Sequence, residues 1–357
     1  MRIPMETIRI GIIGAGWVVE TRHLPALTRS PGVSCRLIWS RDSAKARKLA
    51  RKFEIPAVAR SWEEVCDSAD IDAVVVATPP VLHCTVTHRS LEAGKHVLCQ
   101  ARMARNLSEA QRMVAAAKSS GRVTALYPPR PGLKGDRLMK RLLHKENFVG
   151  EVTELRVTGM SFEKPPAGYD WRLDPEVVGV NALTLGLWVE VAHRWVGPAA
   201  IVSAVAKVHH PVRSSVTGTI VTATVPDSVV AAGTLQCGAA FSYHLSHSAS
   251  FSPGHRIEIY GSRGSLIYRL FSEEILGASG DAGELTPMVV SAEEERSQTT
   301  DQEFIEAIRT GGTVSPTFEE GLRYMEFCEA VALSAHSGSA VRLPLAQPAM
   351  DSWGKRL

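Results

Sequence analysis

Hydrophobic and polar positions along the chain follow two regimes. In the first third, short continuous apolar runs alternate with stretches of helical period. Ile8–Gly14 (IRIGIIG), Cys35–Ser40 (CRLIWS), Ala73–Ala77 (AVVVA), His96–Cys99 (HVLC) and Val123–Tyr127 (VTALY) read as strands buried on both faces. Between them lie a helix through Leu27, the basic amphipathic SAKARKLARKF, a helix VLHCTVTHRSLEAG ending at Gly94, and LSEAQRMVAAAKSSG with Gly121 at its C-terminal cap position. Strict strand–helix alternation with all-apolar strands predicts an α/β fold, a parallel sheet covered on both faces.

After Tyr127 the pattern changes. YPPRPG is rich in breakers and marks a domain boundary, so residues 1–127 and 128–357 read as two domains. LMKRLLHKE is helical. Strand-like runs then dominate: EVTELRVTG, SVTGTIVTATV, SVVAAGTLQ, AAFSYHLSHS and HRIEIYGSRGSLIYRL, with turns at Pro226–Ser228, Cys237–Gly238 and Ser262–Gly264. They predict an α+β domain with an open-faced, mostly antiparallel sheet. An apolar helix around Ala182–Val196 and the late helices EFIEAIRTG and FEEGLRYMEFCEAVALSAHSG are expected on one face. The other face is free for another subunit.

Composition narrows the classes. The chain has 357 residues, long for one core, with 45% hydrophobic and 22% charged residues, as in a water-soluble globular protein. A net charge of +3 without a long basic run argues against nucleic-acid or membrane-surface binding. No run approaches the roughly 18 apolar residues of a membrane span. The N-terminus lacks a signal-like apolar stretch. Six scattered cysteines without a C-x-x-C pair fit reduced thiols in the cytoplasm. His244 and His247 of YHLSHS are three apart on a strand and face opposite sides, so no metal site is expected.

The chemistry begins at GIIGAGWVV. Gly14 permits a tight strand–helix turn, Gly16 lets the backbone approach a pyrophosphate, and Ala15, Trp17 and Val18 complete the turn and open a helix whose amides point at an anion. The third glycine of G-x-G-x-x-G is Val19. Position after the first strand of a β–α series marks this turn as a dinucleotide site of Rossmann type. At the end of the second strand, where an acidic residue selects NAD, stand Ser40 and Arg41, with Lys45 nearby; these suit a 2′-phosphate and favour NADP(H) over NAD(H), although Asp42 follows closely. Thr78, Pro79 and Pro80 of ATPP, with His83 one turn on, and Gln100 at the end of HVLC lie at the carboxyl edge where such sheets bind ligands. His83 reads equally as a structural histidine.

The chain resembles the glucose–fructose oxidoreductase, inositol dehydrogenase and rhizopine-catabolism family through GIIGAGWVVETRHLPAL, ATPPVLH, LEAGKHVLC, WRLDPE, IEIYGSRGSLIY and FIEAIRTGGTVSPTFEEGL…AVRLP, from Ile8 to Pro344. The resemblance implies a Rossmann domain followed by an open-faced α/β domain. It also implies hydride transfer between NAD(P) and a sugar, cyclitol or related molecule, and a homodimer or homotetramer.

The family's acid–base set is altered. Its lysine follows HVLC in Glu-Lys-Pro, where this chain has Gln100–Ala101–Arg102. Its Asp and His, four apart in G-G-G-x-L-x-D-x-G-x-H, correspond to Thr184 and Trp188 when aligned on Gly186. A positioned acid or base contributes about 10²- to 10⁴-fold, so the loss weighs most on alcohol oxidation and less on reduction of a polarised acceptor such as an iminium.

Several residues are candidates to stand in. Arg102 would hold an anion or orient an oxyanion. Tyr127 would relay a proton, and Lys134 would act as a base if desolvated. Asn181, Thr184 and Trp188 fall at i, i+3 and i+7 and, read as one helix, share a face. Trp171 and Arg172 sit where family members line the substrate site. Each also reads as packing or a solvated charge. Glu190 and His193 form an i, i+3 pair, but Glu190 lies about 200° round the helix from Trp188.

The leading expectation is an NADP(H)-binding oxidoreductase with rewired proton handling, acting on a small polar molecule. The alternatives are a lyase, hydratase or glycosidase-like enzyme without net redox, and a non-catalytic binding or regulatory protein.

Overall fold

Six apolar strands carry the first half of the chain: β1 (Ile8–Ile13), β2 (Val33–Trp39), β3 (Ala57–Val58), β4 (Ala73–Val76), β5 (His96–Gln100) and β6 (Thr124–Tyr127). In the computed structural model, which describes residues 7–128, 133–161, 169–215, 218–295 and 299–357, they form one sheet in the order β3-β2-β1-β4-β5-β6. Every pairing is parallel. Ile10, Ile12, Val74, Val75, Val97 and Leu98 are fully buried, which is why these strands show no alternation. A helical run opens after Gly16, with a π segment at Val19–His23 that continues into α1 (Leu24–Thr28). It is followed by α2 (Ser43–Lys52), α3 (Trp62–Asp67), α4 (His83–Glu92) and α5 (Leu107–Ser120). The strand order reverses between β1 and β4, and ligands of such sheets bind outside the carboxyl ends at that point.

The chain divides into two compact units: Met1–Ala104, Ser108–Pro131 and Gln298–Leu322 in the first, Arg105–Leu107, Gly132–Ser297 and Arg323–Leu357 in the second. The boundary expected at YPPRPG lies largely outside the described residues, which omit 129–132. The first unit also takes back a distant piece of chain.

In the second unit, α6 (Asp136–Lys140) precedes β7 (Val152–Met160), α7 (Pro175–Val178), α8 (Leu185–Val196) and β8 (Ala199–Lys207). A small antiparallel pair follows, β9 (Val212–Ser214) with β10 (Ile220–Thr222). Next come β11 (Ser228–Leu235), β12 (Ala240–Ser246), β13 (His255–Gly261), β14 (Gly264–Arg269), β15 (Glu274–Ser279), β16 (Thr286–Pro287) and β17 (Val341–Arg342). Nine of these strands make a sheet in the order β16-β15-β14-β13-β7-β12-β11-β8-β17. It is antiparallel except for the β12–β7 pair. On the inner face, the Trp188 indole of α8 lies against Gly159 of β7, and Phe327 of the helix α10 (Phe318–Ser337; α9 is described next) meets Phe241 and Tyr243. On the outer face Val205 and Val230 are paired neighbours and exposed.

The helix EFIEAIRTG does not pack on this second sheet, as the sequence reading expects. It is α9 (Thr300–Thr310), and it belongs to the first unit. Its Phe304, Ile305 and Ala307 join the core of Ile10, Leu24, Leu27 and Tyr127. The cause is the apolar stripe itself, which is completed by Val314.

Candidate functional site

The turn after β1 is built as a close approach. Gly14 has φ 128°, and a Cβ there would lie 2.3 Å from the Ala77 carbonyl oxygen. Its N–H donates to the Trp39 carbonyl at 2.7 Å, so the ends of β1, β2 and β4 meet at this glycine. At Gly16 an added Cβ would meet nothing within 4 Å. The backbone there is open on the side where a side chain would stand, as a cradle for a bulky anion requires. Trp17 is 67% exposed beside it, with the Arg22 guanidinium 5.9 Å from its ring.

At the end of β2, Ser40 is half-buried and Arg41 exposed. Asp42 is engaged as the N-cap of α2, accepting from the Ala44 and Lys45 amides at 3.1 Å each. The Lys45 amide, with the nearby ammonium and the Ala44 amide, holds this carboxyl below the usual carboxylate range. Lys45 Nζ is 3.6 Å from Asp42 Oδ2.

His83 is 1% exposed and lies between two loops of the carboxyl edge. Its Nδ1 lies 2.8 Å from the Arg102 carbonyl and its Nε2 2.6 Å from the Thr78 carbonyl. Burial pushes its pKa below the usual imidazole range, against the pull of these oxygens. Pro80 is buried, and Thr78 and Pro79 are half-buried beside it.

Two residues that the sequence reading does not single out meet Gln100. His23, in the π segment, and Asp301, in the first turn of α9, are both 0% exposed, with Nδ1 and Oδ1 2.6 Å apart. Gln100 Nε2 is 2.9 Å from His23 Nε2. The Tyr127 ring lies over His23, centroids 4.1 Å apart. Tyr127 is 3% exposed, and burial, then the Asp301 charge, pushes its phenol upward. Such a phenol holds its proton, which weakens its reading as a relay. Arg102 is half-buried, its carbonyl held by His83.

The second unit's candidates are arranged differently from the expected helical face. α8 starts only at Leu185; Leu183 and Thr184 are both left-handed, with φ 49° and 61°. Asn181 and Thr184 therefore precede the helix, and the shared face with Trp188 does not form. Asn181 is 1% exposed and donates to the Val178 carbonyl at 2.7 Å. Trp188 is 3% exposed and stacks on His255 at 5.7 Å, a core contact. Lys134 is a surface cation 3.6 Å from Glu295 Oε2, its side chain 48% exposed. Arg172 pairs with Asp170 at 3.1 Å and lies over the Trp171 ring at 4.3 Å, leaving an exposed cation–aromatic platform. Glu190 bonds to Arg194 at 3.3 Å, and Arg194 also faces Asp136 at 3.5 Å. Glu190 is thus part of a buried ion-pair group, in line with its expected direction away from Trp188.

Among the described residues, no three His, Cys, Asp or Glu side chains gather to hold a metal ion. No helix is long and apolar enough to cross a membrane.

A parallel sheet with a glycine cradle at its switch point, joined to an open-faced sheet unit, defines a two-part protein of dinucleotide-binding architecture. Residues 8–127 match the oxidoreductase family, NAD-binding Rossmann fold, and residues 141–343 its C-terminal alpha/beta domain; the chain belongs to this Gfo/Idh/MocA family. Among its relatives is dTDP-3,4-didehydro-2,6-dideoxy-alpha-D-glucose 3-reductase of Streptomyces antibioticus, 30% identical over 203 residues, covering 55% of this chain and 59% of that protein. The match to the Saccharopolyspora spinosa reductase covers 60% of that protein, so this chain aligns with well under two thirds of both. Levoglucosan dehydrogenase of Pseudarthrobacter phenanthrenivorans is 24% identical, with 95% of this chain and 99% of that protein covered. The solved structure of a levoglucosan dehydrogenase in complex with NADH and L-sorbose superposes with a TM-score of 0.85 at 24% identity, over 95% of this chain and 99% of that one.

Proposed function

We propose that this protein is an NAD(P)(H)-dependent oxidoreductase acting on a small polar, sugar-like, cyclitol or imine substrate, with an acid–base set that lacks the family lysine. The observation that carries the reading is the pair Gly14 and Gly16: one glycine obliged by a backbone contact, the other left open. A bound nicotinamide supplies the hydride chemistry. The chain's own residues bind and orient: the Gly14–Val18 turn takes the pyrophosphate, and Thr78, Pro79, Pro80 and Gln100 border the nicotinamide side. The levoglucosan dehydrogenase and sugar reductase among its relatives support a sugar-like substrate. In the second unit, the Arg172–Trp171 platform and Thr184 are the proposed substrate contacts.

NADP(H) is the favoured cofactor. Arg41 and Lys45 offer positive charge at the end of β2, where Asp42 caps α2 and lies 3.6 Å from Lys45 Nζ. Arg41→Ala should therefore weaken NADPH binding about tenfold or more while leaving NADH within about twofold; equal losses would refute the NADP assignment. We further propose a homodimer or homotetramer formed through the outer face of the nine-stranded sheet. A cytoplasmic setting fits the six free cysteines, five of them buried.

The test is turnover. Purified protein with NADPH and a panel of keto-sugars, cyclitol ketones and cyclic imines should consume the cofactor in step with product. Conversion of substrate without cofactor consumption would establish the lyase-like alternative, and no conversion despite tight cofactor binding would favour a binding protein.

A further inference from the structure

The His23–Asp301 pair is not explained by stability. Both side chains are 0% exposed inside an apolar cluster that includes Leu24, Leu27, Phe304 and Ile305. Among the described residues, the second carboxylate oxygen of Asp301, Oδ2, has no hydrogen-bond partner. Burying a charge with one partner costs several kcal/mol, and an apolar pair of similar volume commonly serves a core as well or better.

The arrangement does fix a direction. A carboxylate only accepts, so His23 Nδ1 carries the proton it donates to Asp301 at 2.6 Å. The Nε2 of a neutral ring is then a lone pair, and it accepts from the Gln100 amide nitrogen at 2.9 Å. The amide nitrogen being turned to His23, the carbonyl oxygen is the end left to meet another donor. No described residue donates to that oxygen. Gln100 is half-buried at the last position of β5, on the ligand-binding edge of the sheet, immediately before Ala101. The same logic governs a catalytic histidine held in one tautomer by a buried aspartate.

We infer that Asp301 and His23 are positioning residues that lock Gln100 as a one-sided hydrogen-bond acceptor for a donor on the nicotinamide–ribose half of the bound dinucleotide. This rests on the dinucleotide reading above. Two donors share the required chemistry: the carboxamide NH2 and the ribose hydroxyls. A glutamate at position 100 would present an acceptor whatever the state of the ring. A glutamine does so only because the ring's tautomer is held.

The experiment uses the full chain, cofactor titration and nitrogen NMR of the histidine rings, with His23 assigned by substitution. Wild-type His23 should show the Nδ1–H tautomer at neutral pH; the Nε2–H tautomer or a doubly protonated ring would overturn the inference. Gln100→Leu should lose about tenfold in NAD(P)H affinity, the worth of one hydrogen bond, and Gln100→Glu should retain binding. The 3-acetylpyridine analogue, which lacks the amide NH2, separates the donors. Weaker binding of the analogue by wild type but not by Gln100→Leu identifies the carboxamide. Equal treatment of both cofactors, with the Gln100→Leu loss intact, identifies the ribose. Equal affinity of wild type and Gln100→Leu would overturn the role while leaving the dinucleotide reading standing. Failure of wild type to bind either cofactor would remove both.

Discussion

Gly14 and Gly16 are one residue apart, yet the structure asks different things of them. At Gly14 a methyl group collides with the Ala77 carbonyl and φ is 128°, so Gly14→Ala should damage the fold as well as binding. At Gly16 there is room for a methyl group, so Gly16→Ala should leave the melting temperature within a degree or so while reducing dinucleotide affinity about tenfold or more. Equal stability losses would refute the distinction. His193 gives a pH-dependent prediction. Its ring meets Phe327 edge-on at 5.3 Å, its Nε2 has no partner among the described residues, and burial lowers its pKa to about 4. Between pH 6.5 and about 4 the unfolded chain binds a proton that the folded one refuses. Stability should therefore fall as pH drops through that window, by at most about 3 kcal/mol from this group. Denaturant unfolding of His193→Gln should show a flatter dependence there; an unchanged slope would contradict the assignment. At this scale the sequence discloses the glycines, because their spacing is local. It does not disclose His23 with Asp301, which are 278 positions apart. The available signals were a histidine and an aspartate each set among apolar helix positions, and neither points to the other.

Among the elements, the parallel sheet is legible because its strands are apolar runs and glycines such as Gly94 and Gly121 mark where helices end. β8 and β15 are harder to read. Ala199–Lys207 has several alanines, and Glu274–Ser279 is short and half-exposed. The start of α8 is hidden as well, since nothing in ALTLG announces two left-handed residues without glycine. The placement of α9 turns on which apolar surface its stripe meets, which a one-dimensional pattern leaves open. Its own ends are well marked, with a capping box of Thr299 and Gln302 and a left-handed Gly311. Thr299→Ala should cost about 1 kcal/mol in denaturant unfolding; no loss would mean that the cap is redundant with packing. Where α8 lies on β7, a Cβ at position 159 would stand 2.6 Å from Leu245 Cδ2 and 2.8 Å from Trp188 Nε1. Gly159→Ala should destabilise by about 1–3 kcal/mol through overpacking, and a neutral result would show that the indole is free to move.

For the whole molecule, two features decide behaviour: the glycine turn of an NAD-binding Rossmann unit and an exposed apolar pair on the outer sheet face of the other unit. The outer face carries Val205 and Val230 side by side in register, at 59% and 42% exposure. An apolar pair in mid-sheet suits a second copy of the chain. Sedimentation should find a dimer or tetramer that Val230→Asp shifts toward monomer; a monomeric wild type would remove the proposed assembly. In the proposed chemistry Ala101 moves no proton, and the buried Tyr127 phenol is pushed upward. The sequence shows Gln100–Ala101–Arg102 at the end of β5, but it cannot show that His23 and Asp301 lie behind Gln100. The most direct measurement is a titration of NADPH and NADH into wild type and Gly16→Ala, followed by energy transfer from tryptophan to the reduced nicotinamide, with Trp17 as the nearest exposed donor. Saturable binding by wild type, with equally folded Gly16→Ala weakened about tenfold or more, is the expected result. No binding by wild type at millimolar cofactor, or identical curves for the two proteins, would contradict it.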